Sequence, residues 1–156
     1  MEGMWFKEVS QGRRFIIKLA PGERVQPRLV EFAISAGVRN AVIVSAVGSV
    51  RDVRFRGIKA GAKLPITASR VHDHTVEGPL ELLAFTGNVF PDENGELDCH
   101  LHVLASRSTG EVLGGHLYDA TVFATCELVV TEMHGEGIEL HHSKTGGVRT
   151  VFLETP

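Results

Sequence analysis

Neutral imidazoles ligate transition metals and change charge near neutral pH, so histidine carries much of the chemistry available to this chain. The 156 residues include eight histidines. Six form close pairs (His72 with His74, His100 with His102, His141 beside His142), while His116 and His134 stand apart. On a β-strand, His100 and His102 project from one face and Leu101 from the other. Residues Leu97 to Ala105 and Glu111 to Leu117 read as two strands joined by the loop Ser106-Arg-Ser-Thr-Gly110. If that loop closes with Ala105 opposite Glu111, His100 faces His116. His102 then faces Gly114, whose missing side chain leaves room. Opposed β-carbons lie about 4.5–5.5 Å apart, close enough for imidazoles to share one ion. A slip of one residue would turn His116 to the other face and abolish the cluster.

Three neutral imidazoles suit zinc or another divalent transition metal such as iron, nickel or copper. Three protein ligands also leave a fourth position open, the pattern of catalytic and ligand-binding sites rather than of closed structural ones. A water bound there would have its pKa lowered towards ~7. A lone HxH pair equally describes histidines with ordinary hydrogen-bond partners; His116 in a compatible register is what favours the metal. Glu81, Gly114 and Gly115 are the candidate residues for a small molecule beside it, Glu81 by pointing into the same cavity. Asp98 shares the face of His100 and His102; it reads either as an acceptor that orients an imidazole or, preferably, as a solvated strand-end carboxylate. His72 and His74 read as a solvated edge strand, and His134, His141 and His142 as exposed residues. The sequence contains no GxxxxGK[ST] phosphate loop, no GxGxxG after a strand, no GxSxG elbow and no HExxH.

The elements that would position these residues are mostly strands. Gly22 to Gly37 is the one clear helix, with Val25, Leu29, Phe32, Ala33 and Ala36 on one apolar face. Pro27 falls in its opening turns and Gly37 is a left-handed stop. Strands are expected at Phe15–Leu19, Ala41–Val47, Val50–Ile58, Leu80–Phe90 (with an interruption at Gly87), Ala120–Thr131 and Val148–Leu153, besides the two around the histidines. Gly48-Ser49 reads as a break. The expectation is a single α+β domain over 1–156, a mostly antiparallel sheet of about seven strands with one main helix packed on it.

Sixteen basic residues against nineteen acidic ones give a net charge of −3, which disfavours a nucleic-acid binder that relies on a general basic surplus. Cys99 and Cys126 show no ligand or disulfide spacing and read as buried reduced thiols. With no apolar run of about 20 residues and no basic-then-apolar start, the expected location is the cytoplasm, without a membrane partner.

The blocks Gly78-Pro-Leu-Glu-Leu-Leu-Ala-Phe-Thr-Gly87, Cys99-His-Leu-His-Val-Leu-Ala105 and Gly110-Glu-Val-Leu-Gly-Gly-His-Leu117 resemble the PPC domain, the plants and prokaryotes conserved domain. The Gly22-Glu23 helix start and Ala46-Val-Gly-Ser49 support the likeness, which spans nearly the whole chain. The resemblance implies an α+β unit that assembles as a homotrimer. It also implies a metal, commonly zinc, held near a subunit boundary by the residues matching here His100, His102 and His116. Plant members lack these histidines and bind DNA through an attached AT-hook; no Arg-Gly-Arg-Pro-like hook occurs here. Long apolar strands that one helix cannot cover point independently to a partner subunit.

Three functions therefore compete. The first is a metal-binding oligomer with a small-molecule or regulatory site. The second is a zinc-dependent enzyme of unknown substrate, with Glu81 or Asp98 carrying protons. The third is a DNA-binding or transcription-regulatory protein using Arg51, Arg54 and Arg56, of which only Arg54 and Arg56 share a strand face.

Overall fold

The apolar face of the helix and the alternating strands meet in one buried cluster. The computed structural model describes residues 3–152. In chain order its elements are β1 (Ser10–Leu19), α1 (Val25–Ala36), β2 (Ala41–Ile58), a short 3-10 turn (Ala68–Arg70), β3 (Val71–Pro91), β4 (Leu97–Ser106), β5 (Val112–His134), β6 (Glu139–His142) and β7 (Arg149–Phe152). Among the described residues, seven strands and one α-helix match the expected α+β class, but the strands divide into a five-stranded and a two-stranded sheet rather than one sheet of about seven; the pairings within both are antiparallel.

The main sheet has the order β1-β5-β2-β3-β4, and β4 returns to pair with β5. That extra pairing rolls the sheet into a closed ring of four strands, with β1 attached outside it along β5. Long, bent strands make this closure. β5 pairs with β4 through 112–117, with β2 through 117–132 and with β1 through 126–134. The expected strands 41–47 and 50–58 are one strand, as are 111–117 and 120–131. Gly48 is not a break but a close approach. A β-carbon there would overlap the carbonyl oxygen of Thr125 and lie 2.9 Å from the Cα of Cys126. Gly87 plays the same part between β3 and β4.

Inside the roll, Val53, Phe55, Phe85, Leu101, Val103 and Leu117 are buried together with Val25, Leu29 and Ala33 of α1. The helix begins three residues later than Gly22, because Gly22 and Glu23 bond to Val122 of β5. Its first turn is held by a group from elsewhere: buried Asp119 accepts from the backbone N–H of Gln26 (3.3 Å) and from Arg24 Nε (2.5 Å). A carboxylate at a helix N-terminus satisfies an orphan donor and opposes the helix dipole. Gly37 ends the helix in the left-handed conformation, φ 62°.

β6 was absent from the expected elements. It pairs with β7, and Ile138 and Leu140 pack on Phe90 in a small separate cluster. Leu153, the expected end of the last strand, lies outside the described residues.

Candidate metal centre

β4 alternates without interruption. Cys99, Leu101, Val103 and Ala105 are buried, and His100, His102 and Leu104 face outwards. Ser106 pairs with Val112, so the loop is 107–111, braced by Arg107 N–H to Glu111 O and Gly110 N–H to Arg107 O, both 2.9 Å. The loop has the expected five residues but sits one residue later. The register therefore differs from expectation by two: His102, not His100, faces His116, and Gly114 faces Leu104. An even shift keeps the parity, so all three imidazoles still share the outer face.

Their ring centroids form a nearly equilateral triangle of 5.3 Å (His100–His102), 5.2 Å (His100–His116) and 5.4 Å (His102–His116). One nitrogen from each ring lies within 4.8 Å of the others. Burial, and then mutual repulsion, favour the neutral form of two of the rings. The pKa of His100 is pushed down by loss of water around the ring and then by His102, with Asp98 opposing. His116 is pushed down by the same loss of water, then by His100, His102 and Arg56, again against Asp98. Neutral imidazole is the form that ligates. Across from His100 lies Asn88 of β3, whose amide oxygen is buried without a hydrogen-bond partner among the described residues. It is a spare acceptor on the strand next to His100, and outer acceptors of this kind fix ligating histidines elsewhere. The donor set thus fits a divalent transition metal, which would act there as a Lewis acid with room for a further ligand.

The other expected residues are placed differently. Glu81 is on the histidine face but opposite Ser106, four residues along β4 from His102, or about 13 Å at strand rise. Gly114 is required by packing, since a β-carbon would lie 2.6 Å from Leu104 Cδ2 and 2.7 Å from the Val103 carbonyl oxygen. It therefore makes no gap beside His102. Gly115 backs onto the buried ring of Phe55. Asp98 accepts from Arg149 Nη1 at 2.6 Å and from the Cys99 N–H at 2.9 Å rather than from an imidazole. His72 and His74 stack on each other at 5.4 Å, with His74 also over Phe55. His134 and His142 are exposed as expected; His141 is half-buried against Phe152. Both thiols are free and buried, and burial pushes each up to about 12.

Arg54 and Arg56 do share a face, but Asp73 claims both, and Arg51 pairs with Asp52. Beside this group stands Tyr118, over whose ring both guanidinium carbons sit, at 4.2 and 4.3 Å. Sequence reasoning missed Asn88, Asp73 and Tyr118 as neighbours of the site. No local pattern marks them, because they meet only through the β2–β3, β3–β4 and β2–β5 registers.

Fold and site together define a class: a small α+β domain whose rolled antiparallel sheet carries a three-histidine cluster on its outer face. Residues 6–134 match the Plants and Prokaryotes Conserved (PCC) domain, and the chain belongs to that family. Among solved structures, a metal-containing protein from Archaeoglobus fulgidus is 30% identical, with a TM-score of 0.82 over 96% of this chain and all of that one. A plant- and prokaryote-conserved protein from Pyrococcus horikoshii is 26% identical, also at 0.82, over 97% of this chain and all of that one. A curated relative, the bifunctional protein GlmU of a Synechococcus strain, is 27% identical over 143 residues, 91% of this chain. The chain spans only about a fifth of that relative's length, 20%. Among the described residues, no helix is long and apolar enough to cross a membrane.

Proposed function

We propose that this chain is a homo-oligomeric metal-binding protein whose His100, His102 and His116 hold one divalent transition metal, zinc foremost, and leave a coordination position for a small molecule. The carrying observation is the convergence of three ring nitrogens within 4.8 Å on one rigid sheet face. The metal-containing relative from Archaeoglobus fulgidus supports it.

A trimer, as the family resemblance implies, accords with the outer surface. Leu104, two residues beyond His102 on the same face, is 49% exposed, as is Leu83 on the neighbouring strand. Val44, Val47 and Phe123 are also exposed on the long strands. Apolar side chains at such positions favour cover by another copy near the site. The DNA-binding reading gains less: Arg51 pairs with Asp52 and Arg54 and Arg56 share Asp73, which leaves one net positive charge where a duplex backbone calls for many.

Elemental analysis of the purified protein beside His116→Ala tests the site. One metal per chain in the parent, and a loss of most of it in the variant, is the expected result. Equal metal content in both, or none in either, overturns the reading. Sedimentation of the same samples reports the oligomer, and a salt-dependent shift of duplex DNA at micromolar protein would instead favour the nucleic-acid role.

A further inference from the structure

One row of side chains crosses the outer face at the histidines. Thr86 of β3 faces His102 of β4, and His102 faces His116 of β5. On the far side of β5, Phe55 of β2 pairs with Leu117, both buried. The β2–β5 ladder ends at that pair, and Arg56 and His116 are the residues that follow it on the outer face. Arg56 in turn pairs with Asp73 of β3, whose other end supplied Thr86. Because the sheet is rolled, the row runs Thr86, His102, His116, Arg56, Asp73. Neighbouring strands are ~4.8 Å apart, which puts Arg56 one strand from His116 and two from His102.

Arg56 is held, not loose. Its Nε and Nη2 donate to the two oxygens of Asp73, each at 2.8 Å, and its guanidinium lies over Tyr118. Arg54 lies over the same ring and donates to Asp73 Oδ2 at 3.2 Å. Two guanidinium charges against one carboxylate leave one positive charge in excess. Both side chains remain open to solvent, 46% for Arg54 and 40% for Arg56. A guanidinium fixed along one edge and one face still offers its remaining N–H groups, in a geometry suited to carboxylate or phosphate oxygens.

We infer that the open position at the histidines and the Arg56 guanidinium form a two-point site for a small oxyanion, with Arg54 supplying the second cation. The inference rests on the proposed metal centre and adds the chemical class of its ligand. One oxygen of the ligand meets the metal and another meets Arg56. A single exposed arginine binds an anion weakly; joined to a divalent cation one strand away, it acts on the same molecule twice. Asp73 both orients the arginines and competes with the ligand for them.

The test uses the full chain loaded with Co(II), whose visible absorption reports a change of ligands. Oxalate and inorganic phosphate are titrated separately at constant ionic strength. The expected result is a saturable spectral change with at least one of them. Arg56→Gln weakens it about tenfold or more, Arg54→Gln weakens it less, and Arg56→Lys falls between parent and Arg56→Gln. Asp73→Asn tightens it several-fold, a gain that misfolding does not produce. The anion that binds tells whether carboxylate or phosphate is preferred. The inference is overturned if neither anion changes the parent's spectrum. It also falls if cobalt-loaded Arg56→Gln binds within twofold of the parent, or if Asp73→Asn fails to tighten. Failure of the parent to take up cobalt, seen before any anion is added, removes the metal reading itself and this inference with it.

Discussion

Replacing Gly87 with alanine tests how far the histidine cluster depends on the seam between β3 and β4. Gly87 pairs with Leu101, between the two histidines of β4. Its φ of 137° lies where L-residues are rarely found. A β-carbon would overlap the His100 carbonyl oxygen and lie 2.9 Å from its carbon and 3.0 Å from the Cα of Leu101, where ordinary contact begins near 3.4 Å. All three are backbone atoms of a strand bonded on both sides, so none can turn aside. Backbone strain at such a position costs about 1–3 kcal/mol. Parting the strands weakens ladder hydrogen bonds worth about 1 kcal/mol each. A total of about 3 kcal/mol lowers Tm by roughly 10 °C for a chain of this length. The displaced atoms belong to His100 and its neighbour, so the proposed metal site should lose occupancy as well. The assay is thermal denaturation at one fixed protein concentration, because the Tm of the proposed oligomer would depend on it. Elemental analysis accompanies it. Gly115→Ala is the comparison: its β-carbon would meet only the Phe55 ring, at 3.3 Å, and a ring edge can give. A Gly87→Ala protein that melts within 2 °C of the parent and keeps its full metal content would refute the reasoning.

Acid should weaken the fold partly through Glu132. This buried carboxylate takes three hydrogen bonds from Arg13, which hold it down at about 2. Its folded pKa is below the unfolded value, so its stabilisation is complete above about 4.5 and is lost as pH falls towards 2. Urea midpoints at pH 7 and pH 3 should therefore differ less in Glu132→Gln than in the parent; an equal difference removes this assignment. Leu29 is fully buried under the sheet, and Leu29→Ala should cost about 2–5 kcal/mol in urea denaturation. A loss under about 1 kcal/mol would mean that α1 contributes little to the core.

The histidine cluster was legible because strand parity is a strict rule: HxH fixes two side chains on one face, and any even register brings in His116. The register itself was not legible. Whether the turn closes at Ala105 or at Ser106 depends on how Gly110 and the Arg107–Glu111 pair fit the loop, which spacing does not determine. The helix face from Val25 to Ala36 was readable for the same reason of period. Its start was not, because Gly22 and Glu23 are claimed by Val122, almost 100 residues away. Gly48 looked like punctuation, since a glycine that ends a strand and one that lets two strands touch leave the same mark. β6 has only four residues, with Leu140 as its one buried position, too little for alternation to show. The Arg54, Arg56 and Asp73 group was invisible for a further reason. Charges assigned singly look solvated, and only the β2–β3 register shows that they share a partner.

The many partners of β5 bear on how the protein is born. β1 leaves the ribosome first among the strands, yet its pairing partner in the sheet is the last third of β5, residues 126–134. β2, β3 and β4 can zip together as they emerge, but the ring stays open, and α1 lacks Leu117 and Asp119, until β5 arrives. Until β5 emerges, the nascent chain therefore carries an unclosed sheet with exposed edges. Such pairings across long stretches of sequence slow folding towards the millisecond-to-second range. His116 arrives with that same late strand, so the three imidazoles proposed to hold a metal cannot come together before the step that closes the ring.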